Sequence, residues 1–300
     1  MKKNYLFAIC FSIILISFDA FVLLKAFVLP EAAAVVAETN TTNASSQTSD
    51  SSSEQTAEIS DTSYEDENIQ LAITTQTIDD TTVHIVDITV SDPSYLKTAF
   101  AQNIYGRNIK ESTSEIAENN QAILAINGDY YGFRSSGYVI RNGVLYREEA
   151  TSGQEDLVID GNGDFSIIDE GNVSAQELLD SGAQQVLSFG PALIENGEVV
   201  VDSSAEVDQA MQSNPRTAIG QIDTNHYVMI VSEGRTDESA GLDLYQLAEV
   251  FETLGATTAY NLDGGGSSTL YFNGEIVNQT VGGHGSNEER SVSDIVYIGK

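Results

Sequence analysis

The sequence predicts an α+β protein in which residues 69–300 form a single domain with a mixed, largely antiparallel sheet and about three helices. Three observations carry this prediction. Many short segments alternate apolar and polar residues, Asn-Gly pairs connect several of them, and helical patterns are few. Before the domain we expect a transmembrane helix at residues 1–30 and a disordered tether at residues 31–68.

Strands and hairpins account for most of the predicted domain. Alternation with β-branched residues predicts strands at residues 71–78, 83–90, 122–126, 156–160, 217–222 and 227–231. An Asn-Gly pair between such flanks is the signal of a type I′ hairpin, and it occurs at Asn142-Gly143, Asn196-Gly197 and Asn273-Gly274. Because a hairpin joins antiparallel neighbours, these pairs predict an antiparallel arrangement.

Helical patterns occur at three places in the domain. Capping boxes at Ser112 with Glu115 and at Ser174 with Glu177 predict two helix starts. The third pattern, at residues 242–254, has apolar residues at helical spacing and ends at Gly255.

The N-terminal segment predicts a membrane anchor. Residues 5–29 are apolar with four exceptions, which is long enough for a helix to cross a hydrocarbon layer of about 30 Å. Lys2 and Lys3 precede this run, so the positive-inside rule places the N-terminus in the cytoplasm and the domain outside the cell membrane. The alternative is a secreted protein with a cleaved signal peptide, because residues 32–34 fit an A-x-A cleavage site.

Residues 31–68 have the composition of an acidic, disordered linker. Between residues 39 and 63, 14 of 25 residues are Ser or Thr, and neither Lys nor Arg occurs. Such a segment has too little apolar surface to fold by itself. We therefore expect a spacer between the membrane and the domain.

Charge and cysteine content exclude several functions. The chain has 13 Lys and Arg against 45 Asp and Glu, a formal net charge of −32, so it is not expected to bind nucleic acid. The single cysteine, Cys10, lies in the N-terminal apolar run, so the domain has neither disulfides nor a cysteine nucleophile. No cofactor is required by any motif, although acids and carbonyls could hold calcium.

The densest chemical pattern is a glycine-rich loop. Asp263 precedes Gly264, Gly265 and Gly266, which are followed by Ser267 and Ser268 and then by an apolar strand. Three glycines allow the backbone to approach a ligand closely, and successive N–H groups can form an anion-binding nest. We interpret this loop as functional rather than as a surface turn.

Arginine is scarce, and three of the seven lie in unusual contexts: Arg216, Arg235 and Arg290. In so acidic a protein an anion site needs close guanidinium groups or a metal. Arg216 and Arg235 with the glycine loop would form such a pocket. The other four arginines, Arg107, Arg134, Arg141 and Arg147, are interpreted as surface ion pairs.

A polar segment at Asn127 and Asp129 follows the strand predicted at residues 122–126, and strand ends often form pockets. The adjacent Tyr130-Tyr131 pair could stack on a sugar or cover the core. Of the histidines, only His284, in a glycine-rich loop, is a candidate for function; His84 and His226 fit ordinary packing.

The order of these motifs resembles that of the phosphodiester glycosidase family over about residues 82–298. The matching segments are Ile126-Asn127-Gly128, the runs 188–193 and 215–220, Glu233-Gly234-Arg235, the run 261–268 and the run 289–292. The family more usually has Asp where this chain has Glu233. The resemblance implies an extracytoplasmic hydrolase of cell-surface or exopolysaccharide glycans. It would cut a sugar-1-phosphate diester, releasing the sugar and leaving a phosphomonoester.

The resemblance also implies roles for individual residues. Asp263 or Glu233 would act as nucleophile or as the base that activates water. The expected substrate-binding groups are Asn127, Asp129, Arg216, Thr217, Arg235, Gly264, Gly265, Gly266, Ser267, Ser268 and Arg290, with the glycine N–H groups, Ser267 and two arginines on the phosphate. Arg290 would join the pocket or orient Asp263.

Two other functions remain open at this point. One is a non-catalytic, membrane-tethered module that binds or assembles a polysaccharide; the other is a calcium-dependent structural module. The retained acidic and arginine residues favour the enzyme.

Overall fold

The structure, a computed structural model, describes residues 2–33, 37–38, 57–204, 213–282 and 288–300. It is a mixed α+β protein with mostly antiparallel sheets, and the described residues contain four α-helices. These are α1 (Lys2–Phe27), α2 (Thr113–Asn119), α3 (Ala175–Asp180) and α4 (Leu244–Thr253).

Twenty-two strands occur in the described part of the chain. In order they are β1 (Glu31–Ala32), β2 (Ala37–Glu38), β3 (Glu58–Ile59), β4 (Ser63–Glu65), β5 (Ile69–Ile78), β6 (Thr81–Val90), β7 (Leu96–Phe100), β8 (Gly106–Arg107), β9 (Leu124–Asn127), β10 (Val139–Arg141), β11 (Val144–Arg147), β12 (Glu155–Ile159), β13 (Phe165–Asp169), β14 (Gln185–Leu187), β15 (Ala192–Glu195), β16 (Glu198–Val199), β17 (Arg216–Asp223), β18 (His226–Ser232), β19 (Thr258–Asn261), β20 (Leu270–Phe272), β21 (Glu275–Ile276) and β22 (Asp294–Ile298).

The strands form three larger sheets and one short pair. The nine-stranded sheet has the order β16-β15-β19-β17-β18-β6-β5-β4-β3, and the five-stranded sheet has the order β21-β20-β9-β22-β7. The six-stranded sheet has the order β13-β12-β14-β10-β11-β2, and β1 pairs with β8. The largest core cluster contains Ile219, Val296 and Leu187, one from each of the three larger sheets, so the sheets pack on a shared core.

The predicted helices and hairpins of the domain are confirmed. Ser112 and Ser174 cap α2 and α3 with complete capping boxes, and Asp243 caps α4 in the same way. All three Asn-Gly pairs form turns with positive φ, as at Asn142 with φ 51° and Gly143 with φ 72°. Glycine and asparagine are the residues that adopt this conformation at least cost.

The sheet begins before the predicted domain boundary at residue 69. Strands β3 and β4, at residues 58–65, lie at the edge of the nine-stranded sheet, and Tyr64 is buried against β5. The expected disordered tether is therefore wrong for this stretch, because Tyr64 supplies an apolar side chain for the core. Residues 34–36 and 39–56 of the tether lie outside the described residues.

The apolar run at residues 5–29, expected to span a membrane, lies largely within α1. Among the described residues, no helix is both long enough and apolar enough to cross a membrane.

Candidate active site

The strand register brings three motifs to one end of the nine-stranded sheet. Arg216, the first residue of β17, pairs with Ser232, the last residue of β18. Asn261, the last residue of β19, pairs with β17 two residues beyond Arg216. The segments 233–235 and 262–268, which leave β18 and β19, therefore start beside Arg216.

Asn127 joins the five-stranded sheet to this end. It is the last residue of β9 and is fully buried. Its Nδ2 donates to the backbone carbonyl of Asp263 at 2.6 Å, and its Oδ1 accepts from the Thr217 hydroxyl at 2.8 Å. Asn127 and Thr217, expected to bind substrate, thus hold Asp263 and β17 in register.

The Asn127 contacts lead to a testable prediction. Replacement of Asn127 by alanine leaves the Thr217 hydroxyl without its acceptor and releases the Asp263 carbonyl. We expect the variant to lose about 1–3 kcal/mol of unfolding free energy, and we expect its kcat to fall at least about tenfold. Denaturant unfolding and steady-state kinetics check this, with the exposed Asn119→Ala as the control. A variant with wild-type kcat would contradict a positioning role.

The glycine-rich loop needs its glycines for space and for backbone conformation. Gly265 has φ 61°, and a Cβ there would lie 2.9 Å from Nη2 of Arg235. A Cβ at Gly264 would lie 2.8 Å from the carbonyl oxygen of Pro215. The loop therefore passes directly over the 215–216 backbone and under the Arg235 guanidinium.

The N–H groups of this loop are partly used within the protein. The Gly265 N–H, expected to bind phosphate, donates to the Pro215 carbonyl at 2.7 Å. Ser267 N and Ser268 N close a 3₁₀ turn onto the Gly264 and Gly265 carbonyls, each at 3.2 Å. The prediction of a phosphate contact is thus wrong for the Gly265 amide, because the Pro215 carbonyl already accepts its hydrogen bond.

Asp263 is the chemical centre of the loop. Its Oδ2 accepts hydrogen bonds from the Ser267 hydroxyl at 2.6 Å and from Nη2 of Arg290 at 3.0 Å. Within the described residues, Oδ1 accepts no hydrogen bond and is available for a ligand. Burial raises the pKa of Asp263 above its usual value, and the charge of Arg290 and the Ser267 hydrogen bond only partly oppose this.

Ser267 and Arg290 form one unit with Asp263. The Ser267 hydroxyl accepts from Nε of Arg290 at 2.8 Å, and Arg290 also donates to the Gly264 carbonyl at 3.3 Å. The Arg290 side chain keeps 42% of its surface exposed, so a ligand can still reach it. Arg290 thus contacts Asp263 directly, which fits the second of its two predicted roles, and its contact with substrate stays a prediction.

Two further predicted arginines flank the loop. The Asn214 side-chain oxygen accepts from Nε of Arg235 at 3.0 Å and from its Nη2 at 2.8 Å, so the exposed Arg235 has a fixed position. Arg216 is 3% exposed and its Nε donates to the Leu242 carbonyl at 2.9 Å. Burial and repulsion from Arg235 lower the pKa of Arg216 to about 10, which still leaves it charged at neutral pH.

Glu233 lies in a buried hydrogen-bond network. Its Oε1 lies 3.1 Å from Nε2 of His84 and accepts from the Gln279 N–H at 2.8 Å, while Ser239 donates to Oε2 at 3.4 Å. Burial alone would raise the pKa of Glu233, but the hydrogen bonds from His84, Gln279 and Ser239 outweigh it and hold the pKa below the usual value. Glu233 is therefore ionised at neutral pH.

Asp129 does not face the loop. It is fully buried, and its Oδ2 accepts from Nη2 of Arg141 at 2.8 Å and from the Ser188 N–H at 2.7 Å. Arg141 also donates to Oδ2 of Asp294 at 2.8 Å. The expected substrate contact of Asp129 is replaced by this buried Asp129–Arg141–Asp294 triad, and the Gly128 carbonyl beside it accepts from the Asp263 N–H at 3.2 Å.

Ser268 is buried at 2% exposure, and its hydroxyl has no hydrogen-bond partner among the described residues. Gly266 packs closely against Gly282, because a Cβ added to Gly266 would lie 3.0 Å from the Gly282 Cα. These two predicted substrate residues therefore support the loop from inside.

The sequence interpretation missed several residues of this region. His84, assigned to packing, binds Glu233, and Arg141, assigned to a surface ion pair, is only 2% exposed. Arg147, assigned likewise, is buried and donates to backbone carbonyls. His284 lies outside the described residues. The described residues contain no group of three or more His, Cys, Asp or Glu side chains suited to a metal ion.

Comparison with known proteins identifies the family of the chain. The family model for phosphodiester glycosidase matches residues 120–299. The chain belongs to the phosphodiester glycosidase family. The matched range contains both candidate carboxylates, the glycine-rich loop and the buried triad.

The individual relatives share less than a third of their residues with this chain over the aligned regions. The SPbeta prophage-derived protein YomE of Bacillus subtilis is 29% identical over 201 residues, covering 65% of this chain and 30% of that protein. Human N-acetylglucosamine-1-phosphodiester alpha-N-acetylglucosaminidase is 29% identical over 186 residues, covering 56% of this chain and 35% of that enzyme. The chain thus spans about a third of the length of the curated relatives it matches.

A solved structure of one such relative shares the fold of this chain. The catalytic domain of zebrafish N-acetylglucosamine-1-phosphodiester alpha-N-acetylglucosaminidase aligns with a TM-score of 0.61 at 22% identity. The alignment covers 77% of this chain and 83% of that chain. At this identity the likeness extends to the fold alone.

Proposed function

We propose that the protein is an extracytoplasmic glycosidase that hydrolyses a sugar-1-phosphate diester in a cell-surface or exopolysaccharide glycan. The reaction would release the sugar and leave a phosphomonoester. The observation that carries the proposal is the Asp263 carboxylate, which is oriented by Ser267 and Arg290 on a loop flanked by Arg216 and Arg235. A carboxylate beside several guanidinium groups suits a substrate that joins a sugar to an anion.

The arginines match the anionic part of this substrate. A protein with a net charge of −32 repels an anion at long range, so binding requires strong local donors. Guanidinium groups hold phosphate oxygens by charge-assisted hydrogen bonds. Arg235 and Arg290 are within reach of solvent at the loop, and Arg216 contributes positive charge from beneath it.

The two carboxylates have opposite electrostatic environments, which suggests separate roles. Groups whose pKa values are moved apart commonly divide acid–base work and charge stabilisation between them. Asp263, with a raised pKa and an available Oδ1, would take a proton from the attacking water. Glu233, with a lowered pKa, would remain an anion and stabilise the oxocarbenium-like transition state.

In this mechanism the water oxygen forms a bond to the anomeric carbon and its proton passes to Asp263. The bond from that carbon to the phosphate oxygen breaks, and the electron pair stays with the phosphate. Phosphate leaves more readily than a sugar hydroxyl, so electrostatic stabilisation by the arginines can replace strong general-acid assistance.

The location outside the cytoplasm is part of the proposal. It rests on Lys2 and Lys3 before the apolar residues 5–29, through membrane anchoring or export with cleavage. Protease treatment of intact cells that produce the full chain tests it. Complete protection of the domain would contradict the proposed location.

A synthetic diester tests the activity directly. Full-length protein is incubated with methyl phosphodiesters of α-linked glucose and N-acetylglucosamine, and products are identified by phosphorus NMR and chromatography. We expect free sugar and methyl phosphate in equal amounts. Saturable binding without product would instead favour a non-catalytic polysaccharide-binding module.

The environment of Asp263 predicts a pH effect. As a base, Asp263 must be ionised, so activity should rise with pH through its raised pKa. Arg290→Gln removes the cation that lowers this pKa, so the acidic limb of kcat/KM should move upward by about 1–3 pH units. Arg290→Lys keeps the positive charge and should move the limb less. If the acidic limb of the kcat/KM profile stays in place in Arg290→Gln, the role of Asp263 as the base is contradicted.

A further inference from the structure

A group of aromatic residues lies beside the candidate active site. Tyr130 is 37% exposed, and its ring stacks on that of Phe133 with centroids 4.6 Å apart. Its backbone has φ 72°, a conformation that costs energy for a bulky side chain. Tyr131, its neighbour, is buried in another cluster, so only Tyr130 is presented outward.

The Arg134 guanidinium packs against the rings of Tyr130 and Phe189. Its guanidinium carbon lies 5.2 Å from the Phe189 ring centroid and 6.0 Å from that of Tyr130. Nη1 of Arg134 donates to the Ser188 carbonyl at 3.0 Å. Stacking on aromatic faces fixes a guanidinium plane while leaving its edge N–H groups for a ligand.

The chain segments that carry this group border Asp263. Gly190, next to Phe189, exchanges hydrogen bonds with Asn261, whose Nδ2 donates to the Gly190 carbonyl at 2.7 Å. Gly128, two residues before Tyr130, accepts from the Asp263 N–H at 3.2 Å. The positive charge of Arg134 also acts to lower the pKa of Asp263, which fits a short separation.

Arg134 differs from the arginines already assigned to the site in how few of its donors are used. Arg290 is engaged by Asp263, Ser267 and Gly264, and Arg235 by Asn214 through two nitrogens. Among the described residues, the Arg134 guanidinium makes one hydrogen bond and no salt bridge to a carboxylate. Its remaining N–H groups are available to an incoming anion.

We propose that Arg134, held by Phe189 and Tyr130, is a substrate-binding residue that recognises the phosphate of a glycosyl phosphate. This assignment rests on the proposed function and adds a specificity-determining residue to the same site. The rigid guanidinium gives bidentate contact with phosphate oxygens at a low entropic cost. The exposed Tyr130 ring places an apolar face where the attached sugar can pack.

Kinetics on the synthetic diester give the first test. Arg134→Gln removes the charge and is expected to raise KM by about 10- to 100-fold, with a smaller change in kcat. Arg134→Lys should restore part of the affinity, because it keeps the charge without the planar fork. The exposed Lys110→Gln serves as the control for loss of one positive charge. A KM of wild-type size in Arg134→Gln would overturn the proposal.

A binding measurement separates this proposal from the proposed activity. The chain contains no tryptophan, so Tyr130→Trp creates a single fluorescent reporter beside Arg134. Titration with glucose 1-phosphate should give a saturable change, and a second Arg134→Gln substitution should weaken it at least about tenfold. Neutral methyl glucoside should bind much more weakly than glucose 1-phosphate.

Failure of the proposed function and failure of the Arg134 assignment would give different results in these two measurements. If wild-type protein does not cleave the diester, the proposed function fails, and the fluorescence titration still decides the role of Arg134. Equal glucose 1-phosphate affinity with and without Arg134, or no saturable signal, overturns the assignment. Circular dichroism of each variant verifies that it is folded.

Discussion

Replacement of Asp263 by asparagine is expected to lower kcat/KM on the diester by a factor of about 10²–10⁴ while leaving the fold intact. Asparagine has nearly the same shape, and its amide oxygen can accept from Ser267 and Arg290 as Oδ2 does now. What the substitution removes is the negative charge and the ability to take a proton from water. Sugar release under steady-state conditions measures the loss.

The same substitution should not reduce stability. Because burial raises the folded-state pKa of Asp263, the folded protein binds a proton over a pH range in which the unfolded chain does not. Stability from this group is therefore present at low pH and is lost as pH rises through the folded pKa. Above this pKa the ionised, buried carboxylate is a cost that Asp263→Asn removes, so the unfolding temperature of the variant there should equal or exceed that of the wild type.

A matched control distinguishes the site from general charge effects. Asp237 is exposed on the segment that follows Arg235, and Asp237→Asn changes the net charge by the same amount. We expect wild-type kinetics for this control. Activity of Asp263→Asn above one tenth of the wild type, in folded protein, would be incompatible with Asp263 as the water-activating base.

Local elements of this fold could be predicted because their causes are local in sequence. The Asn142-Gly143 turn needs only two residues that accept positive φ, and the α2 cap needs only Ser112 and Glu115. The arginine and glycine motifs could also be placed together, since each adjoins a predicted strand. Their mutual contact, such as Arg235 over Gly265, depends on strand register and became visible only in the structure.

Residues whose roles depend on contacts far apart in the sequence were assigned wrongly. Arg141 lies next to an Asn-Gly turn, a position typical of exposed side chains, yet its partner Asp294 is 153 residues away. His84 lies in a strand and meets Glu233 across 149 residues. Alternation within one strand indicates which face a side chain occupies, but it does not indicate which side chain it meets there. Asp129 was misassigned for the same reason.

The Arg141 triad should give the largest effect on stability. Arg141→Met removes the only cation that contacts both Asp129 and Asp294 among the described residues, and it leaves two buried carboxylates facing each other. Breaking a buried ion pair in this way costs about 3–5 kcal/mol. Methionine keeps most of the side-chain length, so the loss reflects charge and hydrogen bonds more than a cavity. Urea unfolding at pH 7 measures it.

The loss of unfolding free energy in Arg141→Met should increase as the pH rises. Burial and repulsion from Asp129 already raise the pKa of Asp294 to about 7, against the attraction of Arg141. Without Arg141 this pKa rises further, so the folded variant retains a proton that the unfolded chain releases above about pH 4. Stability of Arg141→Met should then fall steeply as pH rises from 5 to 8, and the difference from wild type should be smaller at pH 5 than at pH 8.

Two comparison variants identify the cause. Asp294→Asn introduced into Arg141→Met removes the repulsion and should recover part of the lost stability, whereas the exposed Lys110→Met should change the unfolding free energy by less than about 0.5 kcal/mol. The Gly128 carbonyl beside the triad accepts a hydrogen bond from the Asp263 N–H. The fraction of Arg141→Met protein that stays folded should therefore also have a reduced kcat. If Arg141→Met unfolds within 1 kcal/mol of the wild type at both pH values, the triad is not the electrostatic support that holds this end of the two sheets together.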